Sequence, residues 1–298
     1  MRLTFSAALL ALLPLAAGAE VPAVVTDIPV VHSLVAQVMG DLGTPDLLVG
    51  GGSSPHDYQL RPSQARALAN AGAVFWIGPE MTPWLADVVA AADAGDKMAL
   101  LDLPGTQLRQ FGSEADHKDA DNKDHGHGGR DPHAWLNPGN ASIWLGAIAK
   151  TLAARDPGNA ATYRANAEAA MKATEQLDAD LKARLAGVTG GIVVAHDAYG
   201  YFADHYGLTV VASLAGGDAA QPGAAHLSEV AALVRGGGAK CVFPEAGHDP
   251  KPAVALAGET GLVVGEAIDP EGLGIAPGAE LYAALMTALA EKIAACAG

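Results

Sequence analysis

Short runs rich in Val, Ile and Leu, each bounded by Gly, Pro or Asp, recur at 24–30, 46–50, 74–78 and 98–103. Helix-like stretches at 33–39 and 62–70 alternate with them, a strand and helix rhythm that predicts a parallel α/β sheet. The same rhythm returns at 191–195, 209–212, 240–243 and 262–266, so the chain reads as two α/β halves. Between the halves, 159–187 carries no proline, begins after Asp156-Pro157-Gly158 and ends at Gly187, a residue suited to a helix C-terminus. Tyr163, Ala167, Ala170, Met171, Thr174, Leu177, Leu181 and Leu185 fall at helical spacing and define one buried stripe. At about 1.5 Å per residue this helix is expected to be roughly 43 Å long, enough to run along a two-domain body and restrain hinge motion.

The first residues break the pattern. Met1-Arg2-Leu3 leads into an apolar run ending at Ala17-Gly18-Ala19, the charged start, short apolar core and A-x-A end of a secretory signal, with cleavage expected after Ala19. No later segment offers about 18 uninterrupted apolar residues, and no cysteine follows the apolar core to carry a lipid, so a periplasmic location is expected. The expected division is a signal at 1–19, an N-terminal lobe at 20–157, a linking helix at 158–187 and a C-terminal lobe at 188–298. The segment 112–130 stands apart: it is built almost wholly from Asp, His, Lys and Gly and cannot bury apolar surface, so a solvated loop is expected there.

The formal net charge of −15 becomes −16 once Arg2 leaves, which argues against nucleic-acid or anionic-membrane partners and is compatible with attracting cations. The two cysteines, Cys241 and Cys296, are expected to pair in an oxidising compartment.

Four side chains just past strand ends, or in loops on the same edge, are candidate ligands, because open α/β sheets bind there. His56 sits in the turn-rich Gly51-Gly52-Ser53-Ser54-Pro55-His56-Asp57-Tyr58, and His133 in Asp131-Pro132-His133-Ala134-Trp135. His196 ends Ile192-Val193-Val194-Ala195-His196, and Asp269 closes the run before Pro270. Three neutral imidazoles and a carboxylate at about 2.0–2.2 Å make a tetrahedral zinc shell. Manganese prefers oxygen-rich shells, whereas copper or nickel could bind such a set by raw affinity. Taken singly, each histidine is more often a surface or capping residue than a ligand, and Asp269 is as readily a helix or turn cap before Pro270.

The segments Ser54-Pro55-His56-Asp57-Tyr58-Gln59-Leu60-Arg61-Pro62-Ser63, Asp131-Pro132-His133-Ala134-Trp135-Leu136-Asn137-Pro138 and His196-Asp197-Ala198-Tyr199-Gly200-Tyr201-Phe202 resemble those of the periplasmic zinc-binding components of high-affinity zinc ABC importers. The resemblance spans essentially the whole mature chain in the same order. It includes the acidic, histidine-rich insert, the closing Ile268-Asp269-Pro270 and the placement of Cys241 and Cys296. It implies two Rossmann-like α/β lobes joined by one long backbone helix, with Zn(II) between the lobes on His56, His133 and His196. In some zinc members a glutamate precedes the first ligand histidine; here that place is Pro55, which leaves Asp269 or water as fourth donor, with Asp269 favoured. Manganese-type relatives carry a carboxylate where this chain has His196.

The resemblance implies a transport protein and not an enzyme, with a membrane permease of an ABC importer as partner, a periplasmic zinc chaperone as a further one, and a monomeric chain. A periplasmic zinc hydrolase is the main alternative, since three histidines and an open position also describe a catalytic zinc; Glu80, Glu245 and Asp57 are the carboxylates that could serve as its base, and no H-E-x-x-H is present. A metal-binding adhesin is the third reading. His117, His125 and His127 in the insert form an expected auxiliary metal loop. His32 is expected to cap or face solvent and His205 to lie away from the site, while His226 and His248 carry no assigned role.

Overall fold

The computed structural model describes residues 21–50, 52–56, 58–111, 129–215 and 223–298. The signal segment, Asp57 and the histidines of the auxiliary loop lie outside these residues.

The first half alternates β1 (Val24–Thr26), α1 (Pro29–Met39), β2 (Asp46–Leu47), α2 (Pro62–Ala69), β3 (Ala73–Trp76), α3 (Pro83–Ala91) and β4 (Asp96–Ala99). The strands form one parallel sheet in the order β2-β1-β3-β4, with Val24, Val25 and Thr26 opposite Ala73, Val74 and Phe75. The apolar run at 24–30 is therefore not one strand. Ile28 is extended, and Pro29 starts α1 four residues earlier than expected, because its fixed φ and missing N–H suit the first helical position. The run at 98–103 likewise divides, into the end of β4 and a 3-10 turn at Leu100–Asp102.

After α4 (Pro138–Arg155), whose N-terminus is capped by Asn137 Oδ1 accepting from Gly139 N, the chain reaches α5 (Ala160–Leu185). Asp156 ties the junction: it accepts from Asn159 N and from the Tyr163 hydroxyl at 3.0 Å. The 26 residues of α5 span about 39 Å. Tyr163, Ala167, Ala170, Thr174, Leu181 and Leu185 are buried as expected, whereas Met171 and Leu177 only pack against the core edge.

The second half repeats the plan with β5 (Gly191–Val194), α6 (Gly200–Tyr206), β6 (Val210–Ser213), α7 (Ala224–Arg235), β7 (Ala239–Val242), α8 (Lys251–Thr260), β8 (Val263–Val264) and α9 (Leu281–Ala297). Its sheet is also parallel, in the order β6-β5-β7-β8. A disulfide between Cys241 and Cys296 ties α9 to β7.

Parallel strands covered by helices on both faces bury their side chains without alternation, and β1, β3 and β5 are buried throughout. One core cluster joins inner-face residues of both sheets, such as Phe75, Val194 and Phe243, to Leu34 of α1, Trp144 of α4, Tyr163 of α5 and Leu285 of α9. Separate clusters cover the outer faces, around Leu68 and Trp76 in the first half and Val230 and Val242 in the second. Because α5 packs on α1, α4 and α9 at once, the two lobes share one central core. No helix among the described residues is long and apolar enough to cross a membrane.

Candidate metal centre

In both sheets the strand order reverses between the first strand and its later neighbour, and the crevice outside the carboxyl ends is where such sheets bind ligands. His196 lies two residues beyond β5. Its Nδ1 is 2.6 Å from Glu245 Oε2, which β7 delivers three residues past its own end. Glu245 is held by a further bridge to Ile268, with Ala246 N donating to Ile268 O at 2.8 Å. The Tyr199 hydroxyl reaches the same Oε2 at 3.4 Å, and burial together with the Glu245 charge pushes its pKa far up, so it remains a donor.

His133 is built on the same principle from the other lobe. Asp131 Oδ1 accepts both the backbone N–H of His133 at 3.0 Å and the ring at Nδ1 at 2.8 Å, and both side chains are fully buried. A carboxylate can only accept, so Nδ1 carries the proton in each ring and Nε2 is left as the basic nitrogen, the one that could coordinate a metal. Trp135 packs against His133 with ring centroids 5.2 Å apart and donates from Nε1 to Pro270 O of the second lobe at 2.8 Å.

His56 is carried by the loop after β2. Trp84 Nε1 donates to Pro55 O at 2.6 Å and Tyr58 packs on the Trp84 ring, which holds this loop against α3. The imidazole faces Glu271, with Nε2 3.7 Å from Oε1. Two donors about 2.0–2.1 Å from a tetrahedral ion lie about 3.4 Å apart, so the pair needs only a small adjustment to share zinc. Ligand atoms of His56, His133 and Glu271 all lie within 4.8 Å of one another, and the His196 ring centroid is 5.5 Å from that of His133. Three imidazoles and one carboxylate thus meet in the crease, two donors from each lobe.

The structure brings His56, His133 and His196 together but gives Asp269 another task. Its Oδ1 accepts from the backbone N–H of Glu271, Gly272 and Leu273, and its Oδ2 from that of Gly274. The carboxylate closes the turn after Pro270, and that turn delivers Glu271 instead. Asp269-Pro270-Glu271-Gly272 carries Asp, Pro and Gly within four residues, a turn signal that could have pointed to an Asp269 carboxylate used by its own turn. The sequence reading also passed over Asp131 and Glu245 as orienting partners, although metal-binding histidines regularly need a carboxylate on the other ring nitrogen.

The remaining histidines take separate places. His205 Nε2 is 2.7 Å from Asp178 of α5, and His226 Nε2 is 2.9 Å from Ser213 O. His32 is buried within α1, not solvent-facing as expected, and burial lowers its pKa against the opposing pull of the Pro45 backbone and Asp46. His248 stacks on His196 at 6.4 Å between ring centroids.

Two parallel α/β lobes around a long helix, with a buried three-imidazole, one-carboxylate cluster between them, define a metal-type solute-binding protein. The family model described as zinc-uptake complex component A, periplasmic (ZnuA), matches residues 24–296, and the chain belongs to that family. It is 46% identical over 316 residues to the high-affinity zinc uptake system protein ZnuA of Paracoccus denitrificans (strain Pd 1222), covering 98% of this chain and 97% of the relative. The protein of the same name in Brucella abortus (strain 2308) is 32% identical over 310 residues, covering 92% and 91%. A crystal structure of ZnuA superposes with a TM-score of 0.77 at 27% identity, over 93% of this chain and 99% of that one. A manganese-bound periplasmic metal-binding protein from Candidatus Liberibacter asiaticus reaches 0.78 at 21% identity, over 92% and 98%, and shares the fold.

Proposed function

We infer that this protein captures Zn(II) in the periplasm and delivers it to the membrane permease of an ABC importer; its Paracoccus and Brucella relatives are named high-affinity zinc uptake system proteins. The observation that carries this reading is the convergence of His56, His133, His196 and Glu271 in the crease, with the rings of His133 and His196 held at Nδ1 by Asp131 and Glu245. Three nitrogen donors favour zinc over manganese. Glu271 supplies the fourth donor and Asp269 fixes its turn. The chain acts as a monomer after cleavage behind Ala19, performs no chemical reaction, and exchanges zinc with the permease and with a periplasmic zinc chaperone; His117, His125 and His127 bind further zinc more weakly. Of the three carboxylates weighed for a hydrolytic role, Glu245 holds His196 and Glu80 accepts from Arg130 Nε at 2.6 Å, while Asp57 lies outside the described residues.

Elemental analysis and calorimetry on the protein from Glu20 onward test the reading. One tightly bound zinc per chain is expected, lost in His133→Ala. A preference for manganese, or wild-type zinc affinity in His133→Ala, would overturn it.

A further inference from the structure

The donors of the centre are nearly closed off: the side chains of His133, His196, Glu271 and His56 are 0%, 5%, 7% and 10% exposed. An incoming hydrated ion has to shed water before it reaches them. The surface beside His196 offers a place for that step. The His248 side chain is 49% exposed, its ring is inclined only 19° to that of His196, and its Nε2 is 4.0 Å from Glu245 Oε1. The other oxygen of the same carboxylate is the one bonded to His196. His248 is held there by its backbone, since its N–H donates to Glu245 O at 3.2 Å in a turn that Gly247 closes at φ +84°, a conformation that favours glycine.

We propose that His248 and Glu245 form a transit seat for zinc at the mouth of the centre, a site that rests on the zinc-binding reading above. The ion first binds His248 Nε2 and Glu245 Oε1 and keeps its remaining waters. The 4.0 Å between these atoms is close to the spacing of about 3.4 Å that a shared tetrahedral zinc requires. With only two protein donors the seat is weak, and the ion moves on to His196 and the other ligands, where four donors hold it. A seat on the path lowers the barrier in both directions and leaves the end states unchanged, so it speeds loading and release equally.

Stopped-flow loading from a buffered zinc solution and chelator-driven release test the proposal on full-length mature protein. In His248→Ala both rates should fall about tenfold, a barrier change of the size of one weak interaction, with Kd unchanged within about twofold. His248→Asp, which restores a zinc donor, should recover most of the loss, and His226→Ala, an exposed histidine elsewhere on the second lobe, should behave as wild type. Wild-type rates in His248→Ala, or an altered Kd with no recovery in His248→Asp, would overturn the seat. Failure of the wild-type protein to bind zinc at all would instead remove the functional reading, and the seat with it.

Discussion

The two lobes have the same strand order and use the same point of it differently. At the end of β1 stands Asp27, fully buried, which accepts from Ile28 N and from Ile77 N, each at 2.8 Å, and so ties β1 to the end of β3. At the corresponding end of β5 stands His196, bonded to Glu245 beyond β7. The first lobe closes its switch point with a carboxyl that serves the fold, and the second opens it to a ligand. The first lobe then has to present His56 and His133 from connections outside its sheet. The orienting carboxylate is common to both solutions, with Asp131 serving His133 as Glu245 serves His196. What differs is whether the sheet itself or the chain beyond it sets the position of a ligand.

The largest expected effect concerns a brace that only the second lobe has among the described residues. The disulfide closes a loop with a sequence separation of 55, so Cys296→Ser should lower stability by about 4 kcal/mol on the loop-closure estimate. Urea unfolding measures the loss, and hydrogen exchange should show α9 and β7 opening before the first sheet. Uniform opening of both sheets would show that the shared core overrides the local brace.

Next come the ligands and their orienting carboxylates. His133→Ala and His196→Ala should each weaken zinc binding beyond about 100-fold, while Asp131→Asn and Glu245→Gln should cost about 10–100-fold, the usual range for a residue that orients a metal-binding histidine. Competition titration against a chelator reads all four. Equal losses for the two carboxylate variants would mean that the lobes hold their rings equally well; a much smaller loss at Asp131 would mean that the backbone bond from His133 already suffices.

The turn at Asp269 separates holding from binding. Glu271→Ala should lose about as much affinity as His133→Ala, whereas Asp269→Asn keeps an oxygen to accept from the turn and should lose less than about tenfold, below the range for the orienting carboxylates. The reverse order would return the fourth position to Asp269.

The smallest expected effect is on pH dependence, because two buried groups of the first lobe oppose one another. Burial raises the Asp27 pKa from 3.8 to about 7. Between these values the unfolded chain releases a proton that the folded chain keeps, so stability falls as pH rises through this window and levels off above it. His32, with its pKa lowered by burial, acts the other way: the unfolded chain takes up a proton that the folded chain refuses, so stability falls as pH drops through the imidazole range. Urea midpoints at pH 5, 6 and 7 should therefore change little in the wild type and rise with pH in Asp27→Asn. Parallel pH profiles for the two proteins would show that Asp27 does not titrate in this range and that the contrast between the switch points is only geometric.

Much of this was legible in the chain. Each of the eight apolar runs contains or overlaps a strand; the clearest are those of β1, β3 and β5, because a strand buried on both faces needs an unbroken apolar run. The stripe from Tyr163 to Leu185 marked α5 because burial against two lobes demands apolar residues along its whole length. His56, His133 and His196 were legible as a set because the segments around them resemble those of zinc-binding importer components; local spacing alone left each as a surface or capping residue. Less legible was Glu271, since Asp269 and Glu271 are two carboxylates two residues apart and local sequence does not say which one the backbone will enclose.

The sequence by itself determined the repeated strand and helix order, the long helix and the pairing of the two cysteines, which follow from local pattern or from residue chemistry, whereas His56, His133 and His196 stood out as a set through the family resemblance. Only the tertiary structure decided which carboxylate stands beside His56, which carboxylates orient His133 and His196, and that His248 stacks on His196. Those choices depend on where four separate connections meet across the crease, and a turn that spends the Asp269 carboxylate on its own backbone N–H groups leaves the next acidic side chain to face the other lobe.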